Sequence, residues 1–444
     1  YCSELVPQSI AKNQTSSHRN YPSIFQAWSP VENKPEEDEL ALLARHDLVF
    51  TGTWSMRINW KITPDQPYNG LSTVLMNQQG GESLGEARQR CAELRKLNPN
   101  LKLLCEVRYR EGRYVTDKNV ELWKRGAYPP DSEFWLRDEN GRLCPGWGED
   151  ADGDGEVELD EIRHMLLDFR NPALHELIAE KALALRESRV FDGIMLDWWN
   201  EHHATTGRWP NWNGTHLTPD EEKAARIAIL RKIREKVGDD FLILVNSNYN
   251  TVPESAPLVN GLFMECFKSR YNEGYTIDQI RMIEATLLWA EENLLEPRIN
   301  CLEGWRIVTD YTGDREVRVA ERNSRENLKW MRMITTLSLT HSDGYVLFGD
   351  DNAQPASDHL HNWYDFWDAD LGGPLGRKGK IYKSIDGLFV REFENGWAVY
   401  NRSGNTQSIS FEENVTAFTN GKIATSHEVP NFDGEIFLKV TANR

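Results

Sequence analysis

Residues 191–203 read FDGIMLDWWNEHH. An apolar run, Ile194-Met195-Leu196, ends in the carboxylate of Asp197, and Trp198 and Trp199 follow at once. A continuous apolar run without polar alternation is how a strand buried on both faces reads, as in a parallel sheet. A carboxylate at the end of such a strand stands where the sheet opens to solvent, and the indoles set large apolar faces beside it.

Similar runs recur along the chain. With turn residues at their borders they mark eight expected strands, at 23–28, 48–54, 101–109, 193–199, 241–248, 261–267, 298–305 and 344–350. Amphipathic helices are expected between them, at 35–45, 84–97, 172–186, 219–237, 276–293 and 324–339. Thr218-Pro219-Asp220-Glu221 is a capping box with proline in the first helical position, which fixes the start of one of them. Strand and helix alternating to eight strands predict an α/β fold, a (β/α)8 TIM barrel. The alternative is an open doubly wound sheet. It calls for a glycine-rich phosphate loop after the first strand, and SIFQAWSPVE (23–32) has none. The stretch HMLLDFRNP (164–172) is either an extra short strand or a barrel strand, which would change the strand count. After Asp370, DLGGPLGRKGK (370–380) reads as a linker. Short strands with Asn-Gly turns at Asn395-Gly396 and Asn420-Gly421 follow. The expected division is a barrel over 1–375 and a small C-terminal all-β sandwich over 376–444.

Composition narrows the function. The net charge is −18 over 444 residues, and no Lys/Arg cluster offers phosphates a basic face, so nucleic acid is not an expected partner. No apolar stretch approaches the ~20 residues that cross a bilayer. Sixteen tryptophans fill core space, but those at strand ends suit stacking on sugar rings. The cysteines, Cys2, Cys91, Cys105, Cys144, Cys266 and Cys301, show neither zinc spacing nor a disulfide framework. Cys2 is either a plain thiol or the lipidated residue of a bacterial lipoprotein, and the expected location is secreted or at the bacterial cell surface or periplasm. DADGDGEVELDE (150–161) matches a calcium loop position by position. Asp150, Asp152 and Asp154 stand at places one, three and five, Gly155 makes the turn at six, Glu156 offers its carbonyl at seven, and Glu161 closes at twelve. A structural Ca2+ holding a long loop is expected.

In a (β/α)8 barrel the site lies at the carboxyl ends of the strands. The polar groups expected there are Gln26, Glu106, Arg108, Tyr109, Asp197, Asn246, Asn248, Tyr249, Glu265, Glu303, Asp350 and Asp351, among the aromatic faces of Trp28, Trp54, Trp198 and Trp305. Two carboxylates facing each other suit cleavage of a glycosidic bond: one protonates the leaving oxygen, the other attacks or activates water. Asp197 and Glu265 are the expected catalytic pair, with Glu303 the alternative to Glu265. Trp28, Trp54, Arg108, Trp198, Asn246, Asn248, Trp305 and Asp350 are the expected substrate contacts. The structural readings are a helix cap for Asp197 and an arginine-paired core acid for Glu265. Two other functions fit the same residues: a calcium-dependent carbohydrate-binding barrel without catalysis, and a polysaccharide lyase with a basic group facing a uronate.

FDGIMLDWW resembles the strand-four motif, DGhhhD, of several (β/α)8 glycoside hydrolases, and LLDFRNPALHELI (166–178) resembles their lead-in to it. YDFWDADLGGPLG (364–376) and LFVREFENGWAVYN (388–401) resemble the tail of the family-15-like glycosyl hydrolases, with polygalactosaminidase-like and α-galactosidase-like enzymes as more distant relatives. In the α-galactosidase-like enzymes the strand-four aspartate is the nucleophile and a strand-six acid the proton donor. The resemblance therefore implies Asp197 as nucleophile and Glu265 as acid/base, with glutamate where aspartate is usual. A pattern with acids on strands four and seven implies Glu303 instead. The calcium-like loop belongs to none of these patterns.

Overall fold

The computed structural model describes residues 19–34, 36–114, 126–148, 162–207, 217–269, 274–306, 315–349 and 359–440. Each expected apolar run contributes one strand to a single parallel sheet: β1 (Phe25–Ala27), β2 (Leu48–Thr51), β3 (Lys102–Glu106), β4 (Gly193–Leu196), β5 (Leu242–Asn246), β6 (Gly261–Ser269), β7 (Cys301–Arg306) and β8 (Tyr345–Gly349). The strands pair in chain order, and a parallel bridge between Ile24 and Val346 joins the last to the first. The open doubly wound sheet is thereby excluded. The barrel is filled, not hollow: Phe25, Phe50 and Phe263, from β1, β2 and β6, meet inside it at centroid distances of 5.9, 5.8 and 5.0 Å.

The DGhhhD stretch is mostly structural. Asp192 accepts the Leu103 N–H at 2.9 Å and pairs with Arg95 at 2.9 Å, tying β4 to β3 at its amino end. Gly193 passes so close to β5 that a Cβ would sit 2.3 Å from the Leu242 carbonyl oxygen. Asp197 is the first residue beyond the strand.

The helices are α1 (Glu39–Ala44), α2 (Gly85–Leu97), α3 (Pro172–Ser188), α4 (Pro219–Val237), α5 (Ile277–Asn293), α6 (Arg315–Arg322) and α7 (Arg325–His341). Thr218 and Glu221 close the capping box of α4, and Thr276 and Gln279 close one on α5. The Asn-Pro pair of the lead-in is a helix start: Asn171 accepts the Ala173 N–H and Pro172 opens α3. Between β5 and β6 a 3-10 turn, Ala256–Leu258, takes the place of a helix. The long connection from β3 to β4 carries its own sheet, in which Ile162–Leu166 pairs with Glu111–Tyr114 and with Pro145–Gly148. HMLLDFRNP is thus an extra strand outside the barrel, and Asp197 remains on the fourth barrel strand.

The C-terminal strands are β9 (Leu388–Phe393), β10 (Gly396–Asn401), β11 (Gln407–Ala417), β12 (Ile423–Val429) and β13 (Asp433–Lys439). They form one antiparallel sheet in the order β9-β10-β13-β11-β12. The second layer expected of a sandwich is not a separate sheet. The bulged β11 pairs with both β12 and β13, and a small core of Leu388, Val390, Val399, Ile409, Val415 and Phe437 lies on one face. The other face packs on α7. Ion pairs reinforce this contact. Arg402 holds Glu284 of α5 through two bonds of 2.6 and 2.7 Å, and Arg332 of α7 holds Asp433 through two of 2.9 and 2.7 Å. Among the described residues no helix is long and apolar enough to cross a membrane. Cys91, Cys105, Cys144, Cys266 and Cys301 are buried cysteines.

Glu284 and Arg402 are both nearly buried, and Tyr400 also donates to Glu284, at 2.9 Å. Removing one partner strands the other, so Glu284→Ala is expected to lower the free energy of unfolding by ~3–5 kcal/mol. Guanidinium unfolding checks this, and a loss under ~1 kcal/mol would mean that the β sheet is held without the pair.

Candidate active site

Three neighbouring strands deliver three side chains to one point. Asp197 follows β4, Asn246 ends β5 and Glu265 lies on β6. The Asn246 side-chain nitrogen donates to Asp197 Oδ1 at 2.8 Å and to Glu265 Oε2 at 3.0 Å. Both amide protons are used, one on each carboxylate. The two oxygens lie no farther apart than the sum of those lengths, about 6 Å. Asp197 Oδ1 also accepts the Trp198 N–H at 2.8 Å. Asn248 closes the group from the side: its N–H donates to Asn246 Oδ1 at 3.1 Å and its amide to the Glu265 carbonyl at 2.8 Å.

Trp198 turns the chain through a left-handed conformation, φ 57°. A non-glycine residue stays there only where its surroundings fix it. Tyr109 and Arg226 both donate to its carbonyl, at 2.9 and 3.1 Å, and Arg226 pairs with Glu222 at 2.9 Å with both side chains fully buried. The Arg110 guanidinium lies over the Trp198 ring, 4.4 Å from its centroid.

Beside Asp197 and Trp198, the side chains of Glu106, Arg108, Tyr109, Arg110 and Glu111 line a cleft. Glu106 accepts from Arg108 Nε at 3.0 Å and from Trp28 Nε1 at 3.0 Å. Glu111 pairs with Arg110 and lies 3.7 Å from Arg108. Burial, with the charges of Glu106, Glu265 and Glu111 behind it, pushes the Asp197 carboxyl up to about 7, while the Asn246 amide pulls the other way.

The other expected residues fall in different places. Glu303 is the register partner of Glu265, so both side chains point the same way. Glu303 is fully buried, however, with its carboxylate 2.9 Å from His359 Nδ1. Trp305 is also fully buried and spends a ring contact on His359, at 4.9 Å, so it offers no open face for a sugar. Trp199 is core as well, bonded to Ser255. Trp54 is 56% exposed on the turn after β2. Asp350 and the calcium-loop residues Asp150, Asp152, Asp154, Glu156 and Glu161 lie outside the described residues. The strands flanking that loop are paired, with Gly148 opposite Ile162, so its two ends start side by side. Sequence reading set Glu106 aside and passed over Arg110, Glu111 and His359. The alternating charges of EVRYRE were the available signal for the first three. His359 had none, because it arrives from beyond the loop after β8.

The molecule thus has the anatomy of a (β/α)8-barrel enzyme: a closed parallel barrel, an acidic cleft at its carboxyl end and a β domain behind. The model of hypothetical glycosyl hydrolase family 15 matches residues 95–397, and the chain belongs to that family. It is a glycoside hydrolase. Solved structures similar to it include a maltogenic α-amylase of Thermotoga neapolitana, with 11% identity, 96% of this chain and 100% of that chain covered, and a TM-score of 0.47. An α-amylase of Geobacillus thermoleovorans, solved with acarbose, has 12% identity, coverage of 95% and 99%, and a TM-score of 0.46. An α-amylase of Lactobacillus plantarum has 10% identity, coverage of 94% and 99%, and a TM-score of 0.47. No curated protein matches the chain.

Glu106→Gln removes the largest neighbouring charge from Asp197. The Asp197 carboxyl is then expected to titrate below about 7, moved towards the ordinary aspartate value. A carbon-13 NMR titration of the side-chain carboxyls reads this directly, and an unmoved midpoint would assign the effect to burial and the other carboxylates.

Proposed function

We propose that the chain hydrolyses O-glycosidic bonds of a poly- or oligosaccharide with Asp197 and Glu265 as its working carboxylates. The observation that carries this is the Asn246 amide shared between them. Asp197 Oδ1 is occupied by two donors, which leaves Oδ2 to meet the anomeric carbon. Glu265 protonates the leaving oxygen, and after the aglycone departs it takes a proton from the water that releases the sugar. The separation of about 6 Å or less between the bridged oxygens favours direct attack, which uses carboxyls ~5–5.5 Å apart, over a water-mediated displacement at ~6.5–9.5 Å. The anomeric configuration is then retained. Trp28, Arg108, Trp198, Asn246 and Asn248 border the reacting ring, Trp54 extends the subsite, and Asp350 is the remaining proposed contact. A lyase is disfavoured by the pairing of Arg108 and Arg110 with Glu106 and Glu111, which occupies the cations a uronate would need.

Asp197→Asn and Glu265→Gln should each cut the release of new reducing ends on the order of a thousandfold or more, with unchanged circular dichroism. Near-native turnover by either variant would sink the assignment. Attack requires ionised Asp197, so the acid limb of kcat/KM should fall on the acid side of about 7.

We also propose that Asp150, Asp152, Asp154, Glu156 and Glu161 hold a structural Ca2+. The twelve-place match and the paired ends of the loop, Gly148 and Ile162, support it. Chelation should lower the thermal midpoint, and Ca2+ but not Mg2+ should restore it. Scanning fluorimetry that shows the same midpoint with and without chelator would remove the ion.

A further inference from the structure

Glu303 sits beside Glu265 in the barrel mouth, yet it is built into a wall. Its space exists because residue 349 is glycine: a Cβ there would lie 2.5 Å from Glu303 Oε1. Its other oxygen meets His359 Nδ1 at 2.9 Å. The His359 ring is wedged between Trp28 and Trp305, at 4.8 and 4.9 Å, and against Phe263 at 6.0 Å. Trp28 in turn donates to Glu106 at 3.0 Å, and Glu106 lines the same cleft as Asp197. Trp28 and His359 both hold left-handed backbones, φ 45° and 62°, so the wall is fixed at both ends. A carboxylate with no exposed surface, roofed by a histidine, does not reach a glycosidic oxygen unless His359 leaves.

We propose that Glu303 is a positioning residue that acts through His359 and Trp28 to hold Glu106 against Asp197. The inference rests on Asp197 being a working carboxylate. Among the described residues, the charged groups facing Asp197 are Glu106 on β3, Arg108, Arg110 and Glu111 just after it, and Glu265 on β6. Of these, Glu106 is joined to Glu303 through the side chains of His359 and Trp28, while Glu265 is the register partner of Glu303 on the next strand. When the wall loosens, Glu106 moves away from Asp197 and the acid limb of the pH–rate profile moves to lower pH.

The test compares Glu303→Gln, Glu303→Ala and Trp28→Phe on a substrate that wild type cleaves, with Asp197→Asn as control. Glutamine keeps an oxygen for the His359 N–H, so Glu303→Gln should stay within about tenfold of wild type with its acid limb in place. Glu303→Ala should lose on the order of 10- to 100-fold, as removal of an outer support does. Its acid limb should shift down, and added azide or formate should not restore it. Trp28→Phe keeps a ring and drops the N–H, so it should shift the limb the same way even if Glu303→Ala fails to fold. The inference is overturned if Glu303→Gln is as inactive as the alanine variant, if azide rescues Glu303→Ala, or if the acid limb of Trp28→Phe does not move. Asp197→Asn keeping near-native activity would instead overturn the reading of Asp197.

Discussion

One amide nitrogen sits between two carboxylates, and the rest of the mouth is arranged around it. Without Asn246, Asp197 and Glu265 would face each other as bare like charges in a partly dry site. At an effective dielectric of ~20 and ~5 Å, that repulsion is about 3 kcal/mol. The two amide protons offset part of it and set the spacing, because each oxygen must lie within hydrogen-bond reach of the same atom. Burial first, then the charges of Glu106 and Glu265, still raise the proton affinity of Asp197.

The barrel makes this arrangement cheap to hold. Neighbouring strands lie ~4.8 Å apart, and β4, β5 and β6 are consecutive in the closed sheet. Groups at the ends of adjacent parallel strands therefore arrive a hydrogen-bonded triple apart without a special loop. What needs a device is the exit from β4, where Trp198 must turn left-handed at once. The buried Arg226–Glu222 pair, with Tyr109, fixes that turn by holding the Trp198 carbonyl. An ion pair buried this deeply is weak evidence for stability. Its geometry fits the alternative use, specifying one conformation beside the cleft.

The fold was legible in the sequence because its cause is local and periodic. Apolar runs such as GIML and LILVN read as strands buried on both faces, and the Thr218 and Thr276 boxes mark where helices start. The meeting of Asp197, Asn246 and Glu265 was legible too, since a strand end in a barrel has a known address. The limit came where two neighbouring strand ends looked alike. Glu265 and Glu303 are register partners with similar surroundings in sequence, LFMEC and NCLEG. What separates them is His359, brought in by a segment far along the chain and seated between two indoles. Trp305 was misread for the same reason: whether an indole faces sugar or covers a histidine depends on the next wall, not on its neighbours in sequence. The small β domain shows a similar limit, because turn residues mark strands but do not say whether five of them share one sheet.

An acidic mouth that opposes its own ionisation is suited to a cation that exists only briefly. On the proposed reading, a glycosyl group gains positive charge as the bond to the leaving oxygen breaks, and the carboxylates of Glu106, Glu111 and Asp197 already face that position. Their mutual repulsion is present in the resting site and relieved as the charge develops, so the field acts more strongly on the transition state than on the neutral sugar. Arg108 and Arg110 limit how far this can go. Each is held by a glutamate, which offsets part of the charge, while the residual negative charge remains beside Asp197. Weakening those arginines would raise the field on the sugar but also the proton affinity of Asp197, and the carboxylate that must attack would be lost to protonation at neutral pH.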